Sequence, residues 1–470
     1  MKKAELVFVP APGIGHLVPT CTFAVNLLNL DEQLCITMII IRPQAPFDVG
    51  IDAYIQRFSS NTAPVDHRIR FIKLPQVELP PLQEFTNSME NFFSLLISSY
   101  KPLVKDAIIN NKHSNTKIVG LVIDMFCSSM VDVANELGIP PYIFFTSGAG
   151  FLGFVLYLSV CHSQHGREFS LTDPDLYIPS YANLVPSNVL PTFAFNKEGY
   201  TAFMNHGARF KETKGILINT FAELEPHAVN SLASDPELPP VYTIGPQLDL
   251  AGQKGREDNK EEIMKWLEDQ QPSSVLFLCF GSMGVLEVPQ LQELANALEQ
   301  SGVRFLWSIK MPLGSEYGKF DELLPEGFLI RTKDRGMVCG WAPQVNVLAH
   351  KATAGFVSHC GWNSTLESLW HGVPMVTWPL HGEQQINAFQ MVKDLELAVE
   401  LRMDYRMGKI SDGGIVRADE IENAIRCIMD SENPVRKRVK KMRVKSREVL
   451  MEGGSSFVSL RRFLKTILDG

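Results

Sequence analysis

The sequence predicts an α/β protein of two domains. Two observations carry that prediction: short, wholly apolar runs alternate with longer helical patterns, and the alternation is broken once by a polar stretch before it resumes. A third is the length of 470 residues, which exceeds what one hydrophobic core holds and suits two domains of roughly 200 residues or more.

In the first half, the runs at 6–9, 35–41, 118–123, 142–145 and 216–218 are continuous and apolar but for Thr37. Strands of a parallel sheet covered on both faces read this way, without strict alternation. Between them, 89–109 and 131–137 read as helices, which makes the rhythm strand–helix–strand. At Gly245-Pro246 the character changes, and 249–262 is mostly polar, charged and glycine-bearing, as a connection between domains is. The rhythm then restarts with strands at 275–279, 305–309, 355–357 and 374–378 and helices at 290–300 and 388–395. The first domain is therefore placed at 1–245, the linker at 246–262 and the second domain from 263.

Composition excludes several functions. Hydrophobic residues at 45% and charged residues at 20% are a globular balance, not a disordered one. A net charge of −8 repels nucleic acid and anionic lipid, so neither is an expected partner. The eight cysteines are scattered without a CxxC pair, as small buried hydrophobes of a reducing compartment are. The N-terminus lacks the apolar core of a signal peptide, and the longest apolar stretch, 151–160, is too short to span a bilayer. A cytosolic protein is expected. The Lys/Arg run at 436–447 reads as the solvated face of a helix.

Four places can carry chemistry. Pro12-Gly13-Ile14-Gly15-His16 follows the first strand, where α/β sheets put their sites. It lacks the third glycine of a dinucleotide fingerprint and a matching acidic residue, which disfavours a nicotinamide-dependent oxidoreductase. Asp124 ends the run 118–123 on the same sheet edge. It reads either as a helix N-cap or as the partner that fixes the tautomer of His16. Residues 279–284 and 356–367 are both strand, small-residue turn and helix, whose backbone N–H groups suit a diphosphate. Within the latter, Ser364 and Glu367 also match a capping box. No cysteine–histidine cluster or HExxH motif has metal spacing, and Asp173-Pro174-Asp175 lies in a proline-bearing loop. No metal is expected.

Residues 341–384 read WAPQVNVLAHKATAGFVSHCGWNSTLESLWHGVPMVTWPLHGEQ. This stretch resembles the signature box of plant UDP-dependent glycosyltransferases of family 1. The resemblance extends over the chain, through residues 12–16, Ile218-Asn219-Thr220-Phe221 with Glu223-Leu224-Glu225, residues 280–283, and Glu452-Gly453-Gly454-Ser455-Ser456. It implies a GT-B architecture of two Rossmann-like domains facing across a cleft. The second domain would end near 454, and a helix at about 455–470 would pack back on the first. It also implies an inverting, metal-independent transfer from a UDP-sugar, with no cofactor, by a monomer.

Carried over residue by residue, the resemblance gives His16 as general base and Asp124 as its partner. Trp341 would stack on uracil and Ala342 would bond its edge through the backbone. Gln344 and Glu367 would hold the ribose. Ser282, His359, Asn363 and Ser364 would bind the diphosphate. Trp362, Glu383 and Gln384 would bind the hexose, with Thr146 reaching it from the other domain. Glutamine ending the box is associated in this family with glucose, and His381-Gly382 departs from the usual aromatic–alanine pair. For a small lipophilic acceptor, a flavonoid or other phenolic, the candidates are Ile14, Phe126, Phe151 and Phe193, with Phe195 beside them. Each phenylalanine reads equally as core. A terpenoid or hormone acceptor, a different UDP-hexose donor and a non-catalytic UDP-sugar binder are the other readings; the presence of both His16 and Asp124 disfavours the last.

Overall fold

The computed structural model describes residues 3–45, 47, 50–61, 66–111, 115–250, 259–311, 318–407 and 414–469. The first half supplies strands β1 (Lys3–Val9), β2 (Leu34–Ile40), β3 (Ile69–Lys73), β4 (Thr116–Asp124), β5 (Pro141–Phe145), β6 (Ile216–Ile218) and β7 (Val241–Thr243). The second supplies β8 (Val275–Cys279), β9 (Arg304–Ser308), β10 (Gly336–Cys339), β11 (Thr353–Ser358), β12 (Met375–Thr377) and β13 (Ala398–Glu400). They form two sheets, ordered β3-β2-β1-β4-β5-β6-β7 and β10-β9-β8-β11-β12-β13, parallel throughout. Both are doubly wound, with the strand order reversing beside β1 and again beside β8, and such a switch point opens a crevice at the carboxyl ends of the strands.

The apolar runs are explained by burial on both sheet faces. In β1, Leu6 and Phe8 pack into one core while Val7 and Val9 pack into the other. The first of these cores also takes Leu460, Phe463, Leu464 and Ile467 from the last helix, Ser455–Asp469. The Phe463 ring sits 5.1 Å from Tyr142, 5.6 Å from Tyr242 and 6.2 Å from Phe23. The chain thus leaves the first domain, builds the second and returns to finish the first.

The two domains are tied together by buried and surface contacts. Ile386 and Phe389 of the second half belong to a first-half core, and Phe221 and Leu224 belong to the second. Buried Glu225 accepts the N–H groups of Ala149 and Gly150, each at 2.9 Å, at the start of helix Ala149–His165, and also accepts Nε2 of Gln390 at 2.9 Å. Asp394 accepts the N–H groups of Ala182 and Asn183 at 3.0 and 3.1 Å.

Several expectations are corrected. The helix read at 89–109 is two, Met89–Ser99 and Lys101–Asn110, because Pro102 cannot donate to the preceding turn and instead opens the second helix. The helix read at 388–395 begins at Gln384 and widens into a π turn over Gln390–Asp394. Ser364 is not an N-cap: helix Trp362–His371 starts from Gly361, so no capping box forms there. Of the stretch read as a linker at 246–262, residues 251–258 lie outside the described residues. Among the described residues, no helix is long and apolar enough to cross a membrane.

Candidate active site

The first wall of the cleft is built at the ends of β1, β4 and β5. After β1 the chain turns through Gly13, whose φ of 135° is strained for any residue with a Cβ, and enters helix Ile14–Leu30. Its carbonyl accepts the N–H groups of His16 and Leu17 at 3.2 and 3.0 Å, which sets His16 in the first turn. His16 Nδ1 lies 2.9 Å from Asp124 Oδ2 and 3.0 Å from Thr146 Oγ1. The other Asp124 oxygen accepts the Phe126 N–H at 3.0 Å, so this buried carboxylate both caps the turn Met125–Met130 and pairs with the histidine. A carboxylate oxygen accepting at Nδ1 keeps the proton there, so Nε2 is the basic nitrogen.

Two effects compete at His16. Burial disfavours the charged ring, but the charge and hydrogen bond of Asp124, with a smaller contribution from Glu383, hold its pKa above the ordinary 6.5. The ring is a quarter exposed, consistent with a group that reaches the cleft while leaning on a buried partner. Phe126 packs against it edge-on, with ring centroids 5.2 Å apart.

The second wall is built at the ends of β8, β9 and β11. Gly281 has φ 74°, and a Cβ there would lie 2.5 Å from His359 Nε2, so the turn after β8 requires glycine on both counts. Lys310 follows β9 and donates to the Ser282 carbonyl. After β11, Cys360 adopts φ 63°, held by its N–H donating to Ser358 Oγ at 3.1 Å and its carbonyl accepting Asn387 Nδ2 at 3.1 Å. That turn aims the positive end of helix Trp362–His371 at the cleft. Burial, with His381 and Lys310 nearby, pushes His359 down to about 3, so its ring is neutral. Among the described residues, His359 Nδ1 and Asn363 Oδ1 have no hydrogen-bond partner. Gln344 Nε2 donates to Glu367 Oε2 at 2.7 Å and to Ser364 Oγ at 2.8 Å. Desolvation, opposed by that bond and reinforced by Asp249, pushes Glu367 up to about 7.

The cleft holds about 560 Å³, within the usual range for small-molecule sites. From the first domain it is lined by Ile14, His16, Phe126 and Thr146. From the second it is lined by Ser282, Trp341, Ala342, Gln344, His359, Trp362, Asn363, Ser364, Glu367 and Glu383. Asp124 stands behind His16. Gln384 is turned away: its Oε1 accepts the N–H groups of Leu380 and His381 at 2.9 and 3.0 Å. The Trp362 indole is committed too, donating to the Asn219 carbonyl at 2.7 Å across the domain boundary. Asn363 Nδ2 likewise donates to the Gly15 carbonyl at 2.8 Å.

Phe151 and Phe193 do not reach the cleft. Both are 2% exposed in the first-domain core, where Phe193 stacks on Phe203 with centroids 3.7 Å apart. Helix Ala149–His165 is buried nearly all round its first three turns, so Phe151 faces protein on every side. Phe195 lies under the Arg406 guanidinium, 5.1 Å from its ring centroid. Sequence reasoning missed Tyr54, Arg57, Ser147, Asp249 and Lys310, all cleft-lining. Arg57 pairs with Asp249 at 2.7 Å, joining the helix Ile51–Asn61 to the chain after β7. Lys310 was legible as a cation closing an apolar strand; the Arg57–Asp249 pair left no local signal.

Fold and site together define a GT-B glycosyltransferase, with one wall suited to a diphosphate and the other to proton removal. Comparison with known proteins narrows this. Residues 239–432 match the family described as UDP-glucoronosyl and UDP-glucosyl transferase. The chain is 47% identical over 487 residues to UDP-glucose flavonoid 3-O-glucosyltransferase 6 of Fragaria ananassa, covering 99% of each. It is 45% identical to UDP-glycosyltransferase 71K1 of Malus domestica, over 100% of this chain and 99% of that one. Among solved structures, Medicago truncatula UGT71G1 complexed with UDP-glucose superposes with a TM-score of 0.90 at 44% identity, over 99% of this chain and 98% of that one. The chain belongs to the plant UDP-glycosyltransferase family, and it is an enzyme of that class.

Proposed function

We propose that this enzyme transfers glucose from UDP-glucose to a hydroxyl of a flavonoid or related phenolic, with inversion at the anomeric carbon. The observation that carries the reading is the His16–Asp124 pair at 2.9 Å, on the wall facing the signature-box residues. The Fragaria relative's name gives the donor and acceptor class, and the Medicago structure was solved with UDP-glucose.

In this reading the uracil lies on Trp341, with the Ala342 backbone at its edge. The Gln344–Glu367 pair takes the ribose, presenting an amide and a carboxylate to adjacent hydroxyls. Ser282, Ser364, His359 and Asn363 take the diphosphate, and the two unpartnered atoms of His359 and Asn363 mark hydrogen-bonding capacity still to be used. The helix Trp362–His371 adds its positive end where the leaving UDP gains charge. Glu383, facing the cleft, holds hexose hydroxyls, while Trp362 contributes through its main chain. Gln384 supports glucose as the sugar from behind the cleft wall, and Thr146 approaches from the first domain.

The phenolic acceptor packs on Ile14 and Phe126. His16 Nε2 removes the hydroxyl proton as the oxygen attacks the anomeric carbon from the face opposite UDP, and Asp124 stabilises the imidazolium that forms. One displacement inverts the centre. No step in this scheme calls for a metal, and a cytosolic monomer suffices for it.

The test is incubation of the purified protein with UDP-glucose and a flavonoid panel, with products read by mass spectrometry and anomeric configuration by NMR. β-Glucosides from the wild type, and loss of about a hundredfold or more in His16→Ala, are expected. UDP-glucose turnover unchanged in His16→Ala would overturn the assignment of the base.

A further inference from the structure

We propose that His206 is a positioning residue for the His16–Asp124 pair, acting through the turn Met125–Met130 and the Phe126 ring. The proposal rests on the reading of His16 as the base. His206 lies on helix Lys197–Lys211, is 6% exposed, and has no part in the chemistry assigned above.

Its contacts lead to the dyad by two routes. Through hydrogen bonds, Ser128 Oγ and His206 Nδ1 lie 2.6 Å apart, both buried, which fixes the far end of the turn that begins at Asp124. The near end of that turn is fixed by the Phe126 N–H on Asp124 Oδ1 at 3.0 Å. Through rings, Phe126 is held between His16 at 5.2 Å and a pair behind it, His206 at 6.0 Å and Phe203 at 5.7 Å, all edge-on. Phe203 is in turn stacked on Phe193. A shift of the turn would therefore move both the hydrogen bond that orients Asp124 and the wall on which His16 leans.

The state of the ring fits this role. Burial pushes His206 down to about 4, opposed by the charge of Asp124, so the ring is neutral at working pH and shares one hydrogen bond with the Ser128 hydroxyl through Nδ1. The charged groups that bear on the dyad are Asp124 from the end of β4 and Glu383 from the second domain. A leucine would fill the same space without holding Ser128. An asparagine would keep an acceptor close to the position of Nδ1.

The experiment compares His206→Leu, His206→Asn and Ser128→Ala with the wild type by kcat, KM for both substrates, and the pH profile of kcat/KM, with thermal unfolding as a control. In His206→Leu we expect kcat to fall about tenfold, as loosened alignment of reacting groups predicts. UDP affinity should be unchanged, because the donor-binding wall lies on the other domain. The acid limb should move to lower pH, since His16 loses part of the support that raises its pKa. His206→Asn should restore most of the rate, and the double variant His206→Leu/Ser128→Ala should lose no more than either single one.

Wild-type kcat with an unmoved acid limb in His206→Leu, or losses in the two single variants that add in the double, would overturn the proposal. Should His206→Leu fail to fold, Ser128→Ala carries the same prediction with a smaller truncation. A wild-type protein that forms no glucoside would sink the base assignment itself, whereas an active wild type matched by His206→Leu sinks only this inference.

Discussion

At the scale of single residues, the chemistry rests on which protonation state each group holds. His16 must be neutral to act, and its folded pKa is raised, so kcat/KM should fall as pH drops through a value above 6.5. Asp124→Asn removes the charge that is the largest cause of that rise and leaves the smaller contribution of Glu383. The acid limb should then shift to lower pH while kcat falls about a hundredfold or more, because the proton on Nδ1 is no longer assured. A rate profile of the two proteins from pH 5 to 9 decides it, and an unmoved limb would dismiss the pairing. Glu367 has the opposite use. Its carboxylate is held up to about 7 and accepts from hydroxyls best when ionised, so UDP-glucose should bind more tightly as pH rises through 7 and level off above. Calorimetric titrations of Glu367→Gln should lose that dependence. His16 and Asp124 were legible because a histidine after a glycine turn and a carboxylate ending an apolar run are conspicuous in sequence. Phe151 and Phe193 were not, because an apolar ring carries no mark that distinguishes a pocket wall from a core.

At the scale of elements, what the sequence hid is as regular as what it revealed. The central strands were read because burial on both faces leaves their middles largely apolar. The strands with no reading, β3, β7, β10 and β13, are the four outermost of the two sheets. Edge strands are covered on fewer sides, so β3 mixes charge into its sequence as Ile69-Arg70-Phe71-Ile72-Lys73 and loses the signal. Helix starts obey a similar logic. Helix Ala149–His165 has no cap of its own next to Gly148, and its first N–H groups are satisfied by Glu225 from a distant segment. Glu225→Ala would leave two buried donors and Gln390 without an acceptor and should cost about 2 kcal/mol or more. Denaturant unfolding measures that loss; a midpoint equal to wild type would show that the carboxylate is dispensable.

At the scale of the whole molecule, the cleft exists because two doubly wound sheets face each other with their carboxyl edges, and because Trp362, Asn363 and Gln390 of one domain are bonded to the other. The α/β class and the alternation of elements were legible from apolar runs alone. The contacts that hold the two halves in register were not, since they join residues such as Asn219 and Trp362 whose proximity only the folded chain decides. The returning helix is one of the long-range ties. Phe463 is fully buried among Phe23, Tyr142 and Tyr242, and Phe463→Ala should cost about 3–5 kcal/mol. A thermal melt reads the difference, and an unchanged transition would mean the helix merely rests on the sheet.

That same return sets the order in which the protein can be made. The strands of the first sheet are all synthesised by Thr243, yet the apolar side chains that cover one of its faces include Leu460, Phe463, Leu464 and Ile467. At translation rates of about 5–20 residues per second, roughly 10–45 seconds separate the last strand from the helix that covers it. Throughout that interval the nascent first domain presents a greasy surface to solvent, open to chaperones and to neighbouring ribosomes' products, and the second domain can finish folding before the first is sealed.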